Sequence, residues 1–304
     1  MKIYLAGTIH RFCSKYTFKY KGNFHLESYI IVRSSSKLFD NNPTVKIMLD
    51  SGAFSAWNTG KNIDLYEYIR FIKDKKACLS HYISLDIIPG KPKRRPSKEE
   101  KEKAVIEGVA NWKRMRKEGL EPIPVFHQGE EFDLLHEYID GTDYVGISPQ
   151  EDLSENSKFH WLCSVFEFLS KYPHVKTHGF GVTNVTLLRV FNWTSADSIT
   201  WLKAAAFGEI IFPRQGNNYN VTPLRISVST SEKADGSPYT KRYSSLSPFF
   251  KEKILDYVGK TGFKFEDLEV DSATRGDINV KYFEDLEHSL SHKHQKKIKK
   301  SFLL

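Results

Sequence analysis

Short apolar runs alternate with stretches of helical period along most of this chain, and this alternation limits the fold more than any other feature. Ser97 and Glu100 form a capping box where one such helix would begin. Alternating strands and helices predict a parallel sheet with helices outside. Eight strands favour a TIM-like (β/α)8 barrel, with an open doubly wound sheet as the alternative. The eight predicted strands are Lys2 to Ala6, Lys46 to Leu49, Tyr82 to Leu85, Ile123 to Phe126, Tyr144 to Ile147, Thr177 to Phe180, Ser198 to Trp201 and Glu209 to Phe212.

The pattern changes beyond residue 213. We therefore predict a barrel over residues 1–213 and a C-terminal extension over 214–304, a polar loop followed by helices with a basic tail. The long connection from residue 7 to 45 is expected to hold an irregular insertion or an extra strand at Tyr29 to Val32. A length of 304 residues accommodates both parts.

Composition excludes several classes of protein. A hydrophobic fraction of 40% is that of a globular protein. The sequence has no run of 18 apolar residues, and Gly7, His10 and Arg11 interrupt the N-terminal stretch, so we expect neither a membrane span nor a signal peptide. The three cysteines, Cys13, Cys78 and Cys163, are far apart and odd in number, which predicts a reducing, cytoplasmic location without disulfides.

The net charge of +8 comes from two short basic runs. They comprise Lys91, Lys93, Arg94, Arg95 and Lys98, and then Lys293, Lys296, Lys297, Lys299 and Lys300. Without these ten residues, 35 basic and 37 acidic residues remain. Such clustering predicts a polyanion partner. The alternative is a solvated loop and a frayed tail.

Polar residues lie at or near the ends of the predicted strands. Directly after strands come Asp50, Asp86, His127, Gln128 and Ser148, whereas His178 lies within the sixth run and Asp197 directly before the seventh. In a barrel the active site lies at the carboxyl ends of the strands, where three carboxylates and a glutamine can bind a flat heterocycle and do acid/base or nucleophilic chemistry. The alternative for each aspartate is a helix cap or a partner for a buried arginine. For His127 we expect a structural histidine with satisfied hydrogen bonds.

Six motifs in order resemble the tRNA-guanine transglycosylase (queuine tRNA-ribosyltransferase) superfamily, over residues 46 to 202. The segment from Asp50 through Ser51, Gly52 and Ala53 to Phe54 resembles its Asp-Ser-Gly-Gly-Phe signature. The other five are Leu85-Asp86 with Pro89, Val125-Phe126-His127-Gln128-Gly129, Tyr144-Val145-Gly146-Ile147-Ser148, His178-Gly179-Phe180-Gly181-Val182, and Ala196-Asp197-Ser198.

The resemblance implies roles for these residues. Asp197 would be the nucleophile that attacks C1′ while guanine leaves, and Asp50 the general acid/base. Asp86 would accept hydrogen bonds from the ring N–H and exocyclic amine of the base, with Gln128 at O6. The backbone from Gly146 to Ser148 would meet O6 or the 7-substituent. Ser51, Gly52 and Phe54 complete the implied base site, and the rings of Phe54, Trp57 and Phe180 are candidates to sandwich the base. No cofactor is implied.

One departure bears on the substrate. Members that act on tRNA hold a structural zinc through a cysteine cluster, whereas this chain has no cysteine after Cys163, so we expect no metal. This resembles the DpdA-type enzymes of bacteriophages, which implies replacement of guanine in DNA by a 7-deazaguanine such as preQ0, in the host cytoplasm if the chain is phage-encoded. DNA is the expected partner, contacted by Lys91, Lys93, Arg94 and Arg95, and a homodimer is possible.

Two alternatives remain open. One is a tRNA-guanine transglycosylase of reduced form, and the other is a catalytically silent partner subunit that binds nucleic acid. Retention of Asp50, Asp86 and Asp197 together argues against the silent subunit, which has no chemical need for the nucleophile.

Overall fold

The computed structural model describes residues 1–7, 24–34, 46–150, 152–214, 218–230 and 240–301, and the side chains among them up to residue 291. Cys13 and the side chains of the basic tail lie outside these limits. The chain forms two compact units, one of Tyr20–Phe180 and one of Met1–Lys19 with Gly181–Leu304. Each unit is described by itself.

The strands are β1 Lys2–Ala6, β2 Phe24–Ser28, β3 Lys46–Asp50, β4 Leu79–Tyr82, β5 Val125–His127, β6 Tyr144–Ser148, β7 Lys176–Gly179, β8 Ser195–Ser198, β9 Glu209–Phe212, β10 Leu224–Ser227 and β11 Thr240–Arg242. The helices are α1 Tyr29–Val32, α2 Ala53–Thr59, α3 Leu65–Lys75, α4 Lys98–Lys117, α5 Phe132–Gly141, α6 Glu155–Leu169, α7 Val185–Val190, α8 Thr200–Ala206, α9 Pro248–Lys260, α10 Phe265–Val270 and α11 Ser272–Ser301. Short 3₁₀ turns lie at Lys76–Cys78 and Tyr243–Ser245.

In the unit Tyr20–Phe180, strands that follow each other in the chain are neighbours in the sheet. β2, β3 and β4 pair in parallel, and so do β5, β6 and β7. A parallel bridge between Ile83 and Ile123 links the two sets. Helices lie between successive strands, as parallel pairing requires. The interiors of these strands other than β4 are buried, which is why most of them read as continuous apolar runs.

Helix starts in this unit follow the sequence signals. The predicted capping box is confirmed, since Ser97 Oγ accepts from Glu100 N at 3.2 Å and Ser97 N donates to Glu100 Oε2 at 2.8 Å. Asp64 caps α3 by accepting from Glu67 N at 2.8 Å. The period of α3 then directs Tyr68, Ile69 and Ile72 into the core.

In the other unit, β1 pairs in parallel with β8, with Tyr4 opposite Asp197. A separate three-stranded sheet joins β9 to β10 antiparallel and β10 to β11 parallel. The long helix α11 packs on α8, β9 and β1. Its fully buried Asn279 donates to Trp201 O and Glu209 O and accepts from Ile211 N, which ties the three-stranded sheet to the helices.

The predicted α/β fold of parallel strands and alternating helices is confirmed. Within the described residues, eight strands make parallel pairs of the kind found in a TIM-like barrel, in which the first strand pairs with the last. Closure into a complete barrel and the domain division after residue 213 stay predictions.

Four strand assignments were wrong. The strand predicted at Tyr82 to Leu85 is displaced, because β4 is Leu79–Tyr82 and an isolated bridge at Ile83 follows it. Phe24–Ser28 is the second parallel strand, whereas the predicted extra strand at Tyr29–Val32 is helix α1. The eighth parallel strand is Ser195–Ser198, and the predicted strand from Ser198 to Trp201 runs into helix α8. Glu209–Phe212 is a strand, but it pairs antiparallel with β10 in the separate sheet. An apolar run indicates that a strand is buried, but it does not indicate which sheet the strand joins.

Candidate active site

The turn after β3 positions Asp50 and Ser51. Gly52 N donates to Asp50 Oδ2 at 3.0 Å, and Gly52 has φ +80°, a conformation that favours glycine. A Cβ atom on Gly52 would lie 2.6 Å from Ser28 Oγ and 2.8 Å from Ile30 Cγ1. The glycine of this motif is therefore required by both conformation and space.

Asp86 lies against this turn. Ser51 Oγ donates to Asp86 Oδ1 at 3.1 Å, and Ala53 N donates to Ser51 Oγ at 3.3 Å. Ser51 is fully buried, while the Asp86 side chain keeps 17% of its surface exposed. The structure thus brings together the first two motifs, whose residues are 35 positions apart, and leaves the Asp86 carboxylate open to a ligand.

His127, at the end of β5, contacts two carboxylates. Its Nε2 lies 3.1 Å from Asp86 Oδ2 and its Nδ1 lies 3.2 Å from Glu130 Oε1. Its backbone N also donates to Glu130 Oε2 at 2.7 Å. Burial alone lowers the pKa of His127, but hydrogen bonds to Asp86 and Glu130 outweigh burial and raise this pKa to about 10.

Sequence reasoning expected a satisfied histidine at this position, and both ring nitrogens do have partners. It missed Glu130, which was not singled out. The only signal was a glutamate three residues after a strand-end histidine, across the turn at Gly129.

The carboxylates influence two buried tyrosines. Burial raises the pKa of Tyr68 well above its usual value, and the charges of Asp50 and Asp86 raise it further. Burial likewise raises the pKa of Tyr138, with added contributions from Glu130 and Asp86. Tyr68 stays a hydrogen-bond donor, to Ile83 O at 2.8 Å, and connects its helix to the strand ends.

Gln128 is engaged with the loop after β6. Its Oε1 accepts from Gln150 N at 3.1 Å and its Nε2 donates to Ser157 O at 3.4 Å. Its backbone N donates to Ser148 O at 3.0 Å. The Gln128 side chain therefore bonds backbone groups of Gln150 and Ser157. Its implied contact to O6 of a base stays a prediction.

Gly146 makes room for an aromatic ring. A Cβ atom there would lie 2.4 Å from Phe180 Cε2, and Gly146 N donates to Pro124 O at 2.8 Å. The Phe180 ring packs edge-on against His178, with centroids 4.6 Å apart. Gly146 thus has a packing role, which stands beside its implied role at the base.

Asp197 belongs to the unit Met1–Lys19 with Gly181–Leu304. It lies on β8 with 9% of its surface exposed, and its Oδ1 accepts from Gly181 N at 2.8 Å. Gly181 has φ +61°, which a side chain would strain. The implied nucleophile is therefore a nearly buried carboxylate with a backbone donor.

An aromatic pair, with Phe54 exposed and Trp57 half-buried, lies beside the first basic run. Phe54 is 52% exposed and stacks on Trp57, with ring centroids 5.8 Å apart and planes inclined by 29°. Trp57 Nε1 donates to Gly90 O at 2.9 Å, directly before Lys91.

The basic run itself is uneven in its contacts. Lys91, Lys93 and Arg95 are exposed. Arg94 is also exposed, but it forms an ion pair with Glu100 and donates to Arg95 O at 3.2 Å. The cations of this run thus differ in how readily they can meet a phosphate.

The chain matches no family model and no curated protein. In the described part of the chain, no group of His, Cys, Asp and Glu is arranged to hold a metal ion. Over the same residues, no helix combines the length and apolarity needed to cross a membrane. A surface depression of about 420 Å³ lies among side chains of α3 and Glu118, and none of the predicted site residues lines it.

Gly52→Ala is expected to lower the free energy of unfolding by about 2–4 kcal/mol, because left-handed strain adds to the overlap with Ser28 and Ile30. Gly60→Ala is the matched control. Gly60 has φ +65° with nothing within 4 Å of its Cβ position, so it should cost about 1 kcal/mol. Urea unfolding of both variants measures the difference, and equal losses would contradict the packing of the turn.

His127→Gln is expected to destabilise the protein in a pH-dependent way. Because the folded-state pKa is raised, the imidazolium contributes its full stability below about pH 6.5 and loses it as pH rises through about 10. We expect a loss of about 2 kcal/mol at pH 6, shrinking towards pH 10. Unfolding measured across this range tests the effect, with His136→Gln, a half-exposed histidine, as control. A loss independent of pH would contradict it.

Proposed function

We propose that this protein is a guanine transglycosylase with a TIM-like barrel fold. It replaces guanine in DNA with a 7-deazaguanine such as a preQ0-like base. The observation that carries the proposal is the hydrogen bond from Ser51 to Asp86, because it joins the two motifs that the resemblance assigns to the base. The turn at Gly52 supports the same assignment, because it fixes the positions of Asp50 and Ser51.

The proposed reaction has two displacements. The Asp197 carboxylate attacks C1′, so that a C1′–O bond forms as the C1′–N9 bond to guanine breaks, with Asp50 as proton donor to the leaving base. The incoming 7-deazaguanine then gives its N9 proton to Asp50 and attacks C1′, which releases Asp197. Two inversions at C1′ retain the configuration, and no external oxidant or reductant is needed.

The surface of the unit Tyr20–Phe180 supports nucleic acid as the substrate. Exposed aromatic rings stack bases and exposed cations pair with phosphates, and such stacking contributes about 1–3 kcal/mol per base. Phe54 provides the exposed ring and stacks on the half-buried Trp57, and the hydrogen bond from Trp57 to Gly90 holds the pair beside Lys91. Chemistry at C1′ requires a base that is out of the stack, which this surface suits.

Asp197→Asn is expected to reduce base exchange about a thousandfold or more, because the amide cannot form the glycosyl ester. The measurement is incorporation of labelled guanine into DNA and tRNA oligonucleotides, followed by nucleoside mass spectrometry on nucleic acid from cells supplied with a 7-deazaguanine. Asp74→Asn, at an exposed aspartate of α3, is the control and should be fully active. Labelling confined to tRNA would favour the reduced tRNA enzyme, and no exchange by the wild type would favour a silent subunit.

The double variant Lys93→Gln, Arg95→Gln is expected to weaken DNA binding and to reduce the slope of log affinity against log salt by about 2, roughly one unit per lost phosphate contact. Arg94→Gln should have a smaller effect, because its guanidinium already pairs with Glu100. Neutralising Lys296 and Lys297 in the tail is the comparison and should change the slope less. Fluorescence anisotropy at several salt concentrations measures all three. If the loop and tail variants change the salt dependence of DNA binding equally, the loop at Lys91 to Lys98 is a solvated surface loop without a specific phosphate contact.

A further inference from the structure

Glu130, His127, Asp86 and Ser51 form one continuous chain of hydrogen bonds within the unit Tyr20–Phe180. Glu130 holds His127 twice, at the ring and at the backbone N, while the other ring nitrogen reaches Asp86 Oδ2. Ser51 reaches Asp86 Oδ1 from the opposite side. The motifs of the resemblance account for Ser51 and Asp86, and they give no role to His127 or Glu130.

Among the residues that the structure describes, each oxygen of Asp86 has one donor. A carboxylate oxygen can accept two hydrogen bonds, so within this part of the chain one acceptor position on each oxygen remains for a ligand. With both oxygens held, the plane of the carboxylate is fixed. A fixed carboxylate with two open positions suits a base edge that presents two adjacent N–H donors, because the pair can bind in a bidentate manner.

Glu130 orients the His127 ring towards Asp86 and favours its charged form. A neutral imidazole donates from one nitrogen only, whereas the imidazolium donates from both. His127 lies between two carboxylates with 27% of its side chain exposed, an arrangement that favours the imidazolium. Without the Glu130 carboxylate, the ring would lose its second acidic partner and His127 N would lose its acceptor.

We propose that His127 and Glu130 are positioning residues, which orient Asp86 so that the site selects a purine edge with two adjacent N–H donors over an edge with one. This inference rests on the proposed function. It deepens that function by assigning selectivity between bases to a pair of residues that do not themselves contact the base.

The test compares the wild type with Glu130→Gln and His127→Gln, and uses Glu131→Gln as the matched control. Glu131 is the exposed neighbour of Glu130, and its side chain does not cap α5. Exchange of labelled guanine into an oligonucleotide gives kcat and the KM of guanine. Hypoxanthine lacks the exocyclic amine and is added as a competitor to give its inhibition constant. Thermal unfolding of each variant monitors the fold.

We expect Glu130→Gln and His127→Gln to raise the KM of guanine about tenfold or more, as for a lost charge-assisted hydrogen bond, with a smaller change in kcat. Binding of hypoxanthine should change less, so that the preference for guanine falls about tenfold. Glu131→Gln should match the wild type in both constants.

Three results would overturn the inference. Equal weakening of guanine and hypoxanthine would show that the two residues only support the fold, and unchanged constants would show that they have no part in recognition. In both cases the wild type still exchanges guanine, so the proposed function survives. A wild type that neither exchanges guanine nor is inhibited by it would overturn the proposed function, and this inference with it.

Discussion

The close approach of β2 to the turn after β3 is the constraint on which the candidate site depends. Ser28 and Ile30 occupy the space where a side chain on residue 52 would lie, so only glycine lets the two segments meet. The same turn directs Gly52 N to Asp50 and places Ser51 against Asp86. A single glycine thus couples the packing of neighbouring strands to the positions of the two carboxylates that the proposed chemistry uses.

Bringing carboxylates together at strand ends is costly, because like charges repel and burial removes water. Here the cost is offset by donors that each carboxylate receives: Ser51 and His127 for Asp86, and two groups of His127 for Glu130. The imidazolium lies between the two acidic groups and reduces their repulsion. Stability and orientation therefore have the same origin, which is why the proposed selectivity and the pH dependence of unfolding involve the same residues.

The parts of the fold that sequence could predict are those where local signals and burial agree. β3 and β6 are apolar runs buried in the sheet, and the capping box at Ser97 is a local feature. β2 was not predicted because His25 and Glu27 are buried in it, and these polar residues interrupt the apolar run by which a buried strand is recognised. Glu130 escaped for a related reason: its role depends on Asp86, which is 44 positions earlier in the chain. Non-local pairings of this kind leave no periodic signal.

The charge of the chain has a physical explanation if the partner is a nucleic acid. A site with Asp50, Asp86 and Glu130 repels phosphates, so a strand approaching it needs compensating cations nearby. The loop that begins at Lys91 supplies them and follows Asp86 by only a few residues. Its attachment through Trp57 keeps the cations beside the aromatic pair. The remainder of the chain, apart from the tail, is close to neutral, as expected when attraction is needed at one place and general adhesion to polyanions is not.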